Sequence, residues 1–145
     1  AFAGSRDVLA AYDGTQLVGI LRAVGDGASI LYVQDILVQV NLAKEDSKSG
    51  IYEEDLRGLL DLVETLPNLR LRGLMCIAPN YEQVEQCRPL FRKMHEIYQR
   101  VKEIPYLTAN ITYLSMGMTH DYRIAVEEGA NIVRVGTAIF GPRQY

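Results

Sequence analysis

Small residues and hydroxyls gather in the last third of the chain, LSMGMTHDYRIAVEEGANIVRVGTAIFG, from Leu114 to Gly141. Ser115, Gly117, Gly136 and Thr137 stand at the ends of two short β-like runs that flank one helical stretch. At the ends of neighbouring parallel strands, such residues make a lip for an anion. Backbone N–H groups, hydroxyls and a helix N-terminus then face the charge with no bulky side chain between. The chemistry expected there is phosphate binding. Packing is the competing reading: Ser115 and Gly117 also suit close helix–strand approach. Gly136 and Thr137 also read as a plain strand continuation, and Arg134, alternating with Val133 and Val135, as the exposed face of an edge strand.

The elements that must position this lip alternate between strand and helix signals. DILVQV, from Asp35 to Val40, is an apolar run of strand length, followed by YEEDLRGLLDLVETLP with Leu56, Leu59, Leu60, Val63 and Leu66 at helical spacing. Glu53, Glu54 and Asp55 fall in the first turn, where the helix dipole favours acids, and Pro67 marks the stop. LRLRGLMCI, from Leu69 to Ile77, is the second strand. A helix then starts at Pro89, tolerable as a first helical residue, and carries Leu90, Phe91, Met94, Ile97, Tyr98 and Val101 on one stripe. ITYLSM is the third strand, and a helix over about residues 120–128 ends at Gly129, a suitable left-handed C′ residue. NIVRVGTAIF is the last strand. The fold class is α/β: a parallel sheet with right-handed crossovers, four strands and three helices making half of a (β/α)8-type barrel.

Residues 1–35 read differently. Their apolar runs are separated by Asp13-Gly14 and by Gly25-Asp26-Gly27, and Asp-Gly between such runs signals a hairpin, so an N-terminal antiparallel β-meander is expected.

Residues 36–145 resemble the C-terminal half of the pyridoxal-phosphate homeostasis proteins, the YggS-like group, through the closing motif, QVNLAKEDSKSG (Gln39 to Gly50) and LRLRGLMCIAP (Leu69 to Pro79). That resemblance implies a TIM-barrel fold like the N-terminal barrel of alanine racemase. It implies non-covalent pyridoxal phosphate as cofactor, its phosphate held by Ser115, Gly136 and Thr137 and its pyridine nitrogen faced by Arg134. The family's Schiff-base lysine, whose amine forms an imine with the aldehyde, belongs to an early strand outside the resembling stretch. Lys48 matches the KSG loop instead, and Lys93 and Lys102 read as solvated helix residues. Catalysis and covalent capture are therefore not expected. Residues 1–38, through YDGTQLVGILRAVGDGASILYVQDILV, resemble the acetyl-CoA-dependent N-acetyltransferase superfamily, although QVNLAKEDSKSG stands where its pyrophosphate loop belongs. The chain then reads as a chimera joined at about residues 35–40, with an acetyl-CoA-dependent activity or a purely structural role as alternatives.

The remaining chemistry-bearing residues carry less. His95 and His120 have no partner at metal-ligand spacing, no Ser-His-Asp order or nucleophile elbow is present, and no metal site is expected. Cys76 and Cys87 fit no zinc or redox motif, and Cys76 sits in an apolar run as a small buried hydrophobe. A composition 48% apolar and 23% charged suits a soluble globular domain. The formal net charge of −3 provides no electrostatic footprint for nucleic acid or an anionic membrane. No apolar run reaches membrane-spanning length, and AFAGSRDVLA lacks the basic and apolar regions of a signal peptide, so a cytoplasmic location is expected. The expected partners are a small phosphate-bearing ligand and, through an unpaired sheet edge, a second copy of the chain.

Overall fold

The computed structural model of the chain describes residues 5–13, 16–24, 35–45, 48–66, 69–105 and 111–142. Two strands, β1 (Ser5–Asp13) and β2 (Gln16–Val24), pair antiparallel from Ser5↔Val24 to Asp13↔Gln16 and form a sheet of their own. This agrees with the hairpin expected at Asp13-Gly14. The Gly25-Asp26-Gly27 turn lies outside the described residues.

The rest is a parallel α/β unit. Strands β3 (Asp35–Gln39), β4 (Arg70–Met75), β5 (Tyr113–Met118) and β6 (Ile132–Arg134) lie side by side in chain order. Helix α1 (Glu53–Glu64) links β3 to β4, and α2 (Arg88–Lys102), preceded by a 3-10 turn over Val84–Cys87, links β4 to β5. Helix α3 (Tyr122–Glu127) links β5 to β6, and a four-residue α4 (Thr137–Phe140) follows. The inner strand β5 is buried on both faces from Leu114 to Gly117 and exposed only at Tyr113 and Met118, whereas at the edge strand Val38 and Val40 are buried while Leu37 is exposed. The buried set packs against Leu56, Leu60 and Val63 of α1, Phe91, Met94 and Ile97 of α2, and Ile124 and Ala125 of α3.

Most expected elements are present, with two corrections. The last strand ends at Arg134, because the chain enters α4 at Thr137, so Val135 to Phe140 do not continue the sheet and the helices number four among the described residues. The third strand runs two residues further than ITYLSM, through Gly117 to Met118. Pro89 falls in the first turn of α2 as expected, and Gly129 follows α3 with φ of 99°.

Charge pairs tie the helices together. Glu53, expected to serve the α1 dipole, also accepts from Lys93 Nζ at 2.6 Å and Arg100 Nη2 at 2.8 Å on α2. These hydrogen bonds, Lys93 first, hold its carboxyl below the ordinary carboxylate value. A depressed folded-state pKa contributes stability above the unfolded value, and that stability is lost as pH falls through the folded value. The pair is partly solvated, so its worth is no more than about 1 kcal/mol. The melting-temperature difference between wild type and Glu53→Gln should be fully present at about pH 6 and shrink as the pH falls below the ordinary carboxylate value. A difference unchanged across that range would show that Glu53 acts otherwise.

Candidate functional site

The carboxyl ends of β4, β5 and β6 converge on Arg134, Thr119 and Gly136. Arg134, the last residue of β6, is half-buried and reaches across the sheet, so that Nη2 donates to the carbonyl of Cys76, just past β4, at 2.9 Å. Its Nε is buried and has no hydrogen-bond partner in the structure. Burial pulls the guanidinium pKa below its ordinary value, against the opposing influence of Cys76 and Asp121. Arg134 is therefore not a solvated edge-strand residue; it is held over the strand ends with a donor to spare.

Beside it, the backbone N–H of Gly136 donates to Thr119 Oγ1 at 3.2 Å, which joins the β5–α3 turn to the start of α4. Gly136 accepts from Ile139 and Phe140, and a Cβ added to Gly136 would meet open space. Thr137 is exposed as the first residue of α4, a position whose N–H has no intrahelical acceptor. Of the four residues expected at the site, the structure thus gathers Arg134, Gly136 and Thr137 at one place. Ser115 lies deeper: it is 3% exposed, faces Met75 and Ile132 in register, and accepts from the Cys76 N–H through its carbonyl at 3.1 Å.

The hydroxyl at the rim belongs to Thr119. Between Ser115 and Met118, β5 has one residue more than the facing stretch of β6, and this bulge is centred on Gly117, with φ of 91°. A Cβ there would lie 2.6 Å from that of Ala125 and 2.9 Å from Tyr122 Cα. The bulge re-aims the strand end so that Thr119 faces Gly136. The sequence signal was the Gly117 already singled out; read as a bulge, it would have moved attention from Ser115 to Thr119.

Next to the lip, Asp121 is 7% exposed. Its Oδ1 accepts from the Met118 N–H at 2.6 Å, and its Oδ2 accepts from the Cys87 thiol at 3.8 Å. Burial pushes the Cys76 thiol up to about 12 and the Cys87 thiol up to about 11, so neither is a nucleophile near neutral pH. Among the described residues no group of acidic, histidine and cysteine side chains could hold a metal ion, and no helix is long and apolar enough to cross a membrane.

At the other end of the resembling stretch, Asn41 Nδ2 donates to the carbonyls of Glu45 and Lys48 and shapes the loop after β3. Lys44 pairs with Glu54 at 2.7 Å, and Lys93 is engaged with Glu53.

A model of the alanine racemase N-terminal domain family matches residues 13–144. The chain belongs to this family. The match takes in most of the segment read as acetyltransferase-like, so a chimera boundary at residues 35–40 finds no support in it. Family relatives include the pyridoxal phosphate homeostasis protein of Aquifex aeolicus, 45% identical over 113 residues that cover 78% of this chain and 49% of that one. The protein of the same name from Haemophilus influenzae is 42% identical over 111 residues, covering 77% and 46%. Among solved structures, PipY of Synechococcus elongatus with PLP bound is similar with a TM-score of 0.64 and 34% identity, over 74% of this chain and 49% of that one. The same protein without PLP gives 0.68. The chain thus spans about half the length of these relatives. Its four parallel strands are those of a partial barrel of the family's domain.

Proposed function

We propose that the lip formed by Thr119, Gly136 and Thr137, with Arg134 beside it, binds pyridoxal phosphate without a covalent bond. The observation that carries this reading is the Arg134 guanidinium, fixed on the Cys76 carbonyl with Nε buried and unpartnered. A buried donor left without an acceptor is costly, and a ring nitrogen would supply the acceptor. The donor set fits the cofactor: a guanidinium for the pyridine nitrogen, the Thr137 N–H and the hydroxyls of Thr119 and Thr137 for the phosphate. PipY, a family relative, is known with PLP bound, which supports the same ligand here.

Pyridoxal phosphate, when bound, supplies an aldehyde and an electron-withdrawing ring. Arg134 has only donors to offer, so a pyridine nitrogen held there would stay unprotonated and the ring would be a weaker electron sink. The arrangement suits a carrier rather than a catalyst. Within the lip, Thr137 would offer its N–H and hydroxyl and Thr119 its hydroxyl proton to phosphate oxygens, while the Gly136 N–H is engaged by Thr119 Oγ1 and Ser115 stays buried in β5. Calorimetric titration with pyridoxal phosphate, pyridoxal and inorganic phosphate tests the reading on wild type and Thr137→Ala. Saturable binding that needs the phosphate and weakens about tenfold or more in the variant, which lacks the Thr137 hydroxyl, is expected, the scale of one lost hydrogen bond to a charged group. Pyridoxal binding as tightly as its phosphate ester would count against it.

A companion proposal concerns the outer edges of β3 and β6, which have no partner strand among the described residues. Parallel sheets are covered on both faces and at their edges, and pairing with a second copy would cover them. A strictly monomeric chain in sedimentation at high concentration would remove this idea.

A further inference from the structure

Asp121 stands at the N-cap of α3, where a carboxyl normally accepts from the next turn of its own helix, yet its side chain makes no such bond. Both oxygens turn backwards. Oδ1 takes the Met118 N–H at 2.6 Å, while the Asp121 N–H donates to the Met118 carbonyl at 3.2 Å, so one residue closes the turn twice. Oδ2 takes the Cys87 thiol at the start of α2, which anchors the turn to the layer behind the sheet. Inside that turn lies Thr119, whose Oγ1 accepts from Gly136 at 3.2 Å. Burying a carboxyl at 7% exposure is expensive unless its bonds are specific, and the bonds made here serve the turn rather than the helix.

We propose that Asp121 is the positioning residue of the phosphate lip: it never touches the ligand, but it fixes the Met118–Asp121 turn and so holds the Thr119 hydroxyl against Gly136. This rests on the lip reading above and adds to it the residue that sets the lip's geometry. Sites tolerate misplacement of only about half an ångström before their binding suffers, and a turn closed at both of its ends supplies that precision.

The test is a double-mutant cycle on the full chain with Asp121→Ala, Thr119→Val and the pair, titrated with pyridoxal phosphate and with pyridoxal. Asp121→Ala should weaken pyridoxal phosphate about tenfold and leave pyridoxal within about twofold. Thr119→Val should then cost nothing further in the Asp121→Ala background. Without ligand, the Gly136 amide should exchange faster with solvent in Asp121→Ala, while the Leu114 amide, bonded to Asn131 Oδ1 outside the turn, keeps its wild-type rate. Asp121→Asn, which retains an oxygen for Met118, should restore both readouts. Additive effects, equal weakening of both ligands, or an unchanged Gly136 amide would overturn the proposal. Should Asp121→Ala fail to fold, Asp121→Glu, whose longer side chain misplaces the oxygen, takes its place, and wild-type binding in that variant would equally overturn it. Absence of phosphate-dependent binding in the wild type would instead bring down the lip reading itself, and the ligand role of Asp121 with it.

Discussion

Gly73→Ala should cost the chain more than about 3 kcal/mol, because the added methyl meets backbone rather than a side chain that can turn aside. Gly73 sits in β4 between Leu37 of β3 and Tyr113 of β5. A Cβ there would lie 1.9 Å from the Tyr113 carbonyl oxygen and 2.6 Å from its carbon. Relief requires β4 and β5 to part, which strains the bonds Thr112 N–H to Arg72 O at 2.9 Å and Cys76 N–H to Ser115 O at 3.1 Å. Small domains hold only about 5–15 kcal/mol in all, so the urea midpoint should drop steeply. Gly58→Ala is the control: in α1 its Cβ would touch nothing, and replacing a helix glycine should stabilise by up to about 1 kcal/mol. Equal midpoints for Gly73→Ala and wild type would mean that the two strands are not held this closely in solution.

The damage should also reach the lip, since β5 carries both Ser115 and the Gly117 bulge. That link between a mid-strand glycine and a rim hydroxyl shows why some of this protein was legible in its sequence and some was not. The strand–helix alternation was legible because apolar spacing reflects burial: Leu56, Leu60 and Val63 repeat at helical intervals, and those three are the buried residues of α1. Pro89 and Gly129 were legible because their backbone preferences are local. The end of β6 was not. VRVGTAIF is apolar enough to continue a strand, and only the turn at Gly136 sends Ile139 and Phe140 into an exposed helix, 66% and 85% accessible. Tertiary geometry decided this, as it did the fate of Ser115. Counting along the strand gives two hydroxyls, Ser115 and Thr119, and no local rule selects the one at the rim. The bulge at Gly117 selects it, by adding one residue against β6. Arg134 was likewise undecided by alternation; its reach to Cys76 spans residues 58 apart in sequence.

Arg134→Ala should weaken pyridoxal phosphate and pyridoxal by the same factor, about tenfold or more, the usual scale for losing a hydrogen bond to a charged partner. The equality matters more than the size. On the proposed reading Arg134 would meet the ring nitrogen, which both ligands carry, whereas Thr119 and Thr137 would meet the phosphate, which only one carries. Substitutions at Thr137 should therefore separate the two ligands, and substitutions at Arg134 should not. Arg134→Lys should not rescue binding. The Nη2 donor is committed to the Cys76 carbonyl while Nε remains free, and a planar guanidinium can make both contacts from one rigid group where a single ammonium cannot. Calorimetry on wild type and the Arg134 variants, beside inorganic phosphate, reads the pattern directly. If Arg134→Ala instead abolished inorganic phosphate binding and spared pyridoxal, the guanidinium would belong to the phosphate subsite. The ligand would then lie the other way round over the ends of the strands.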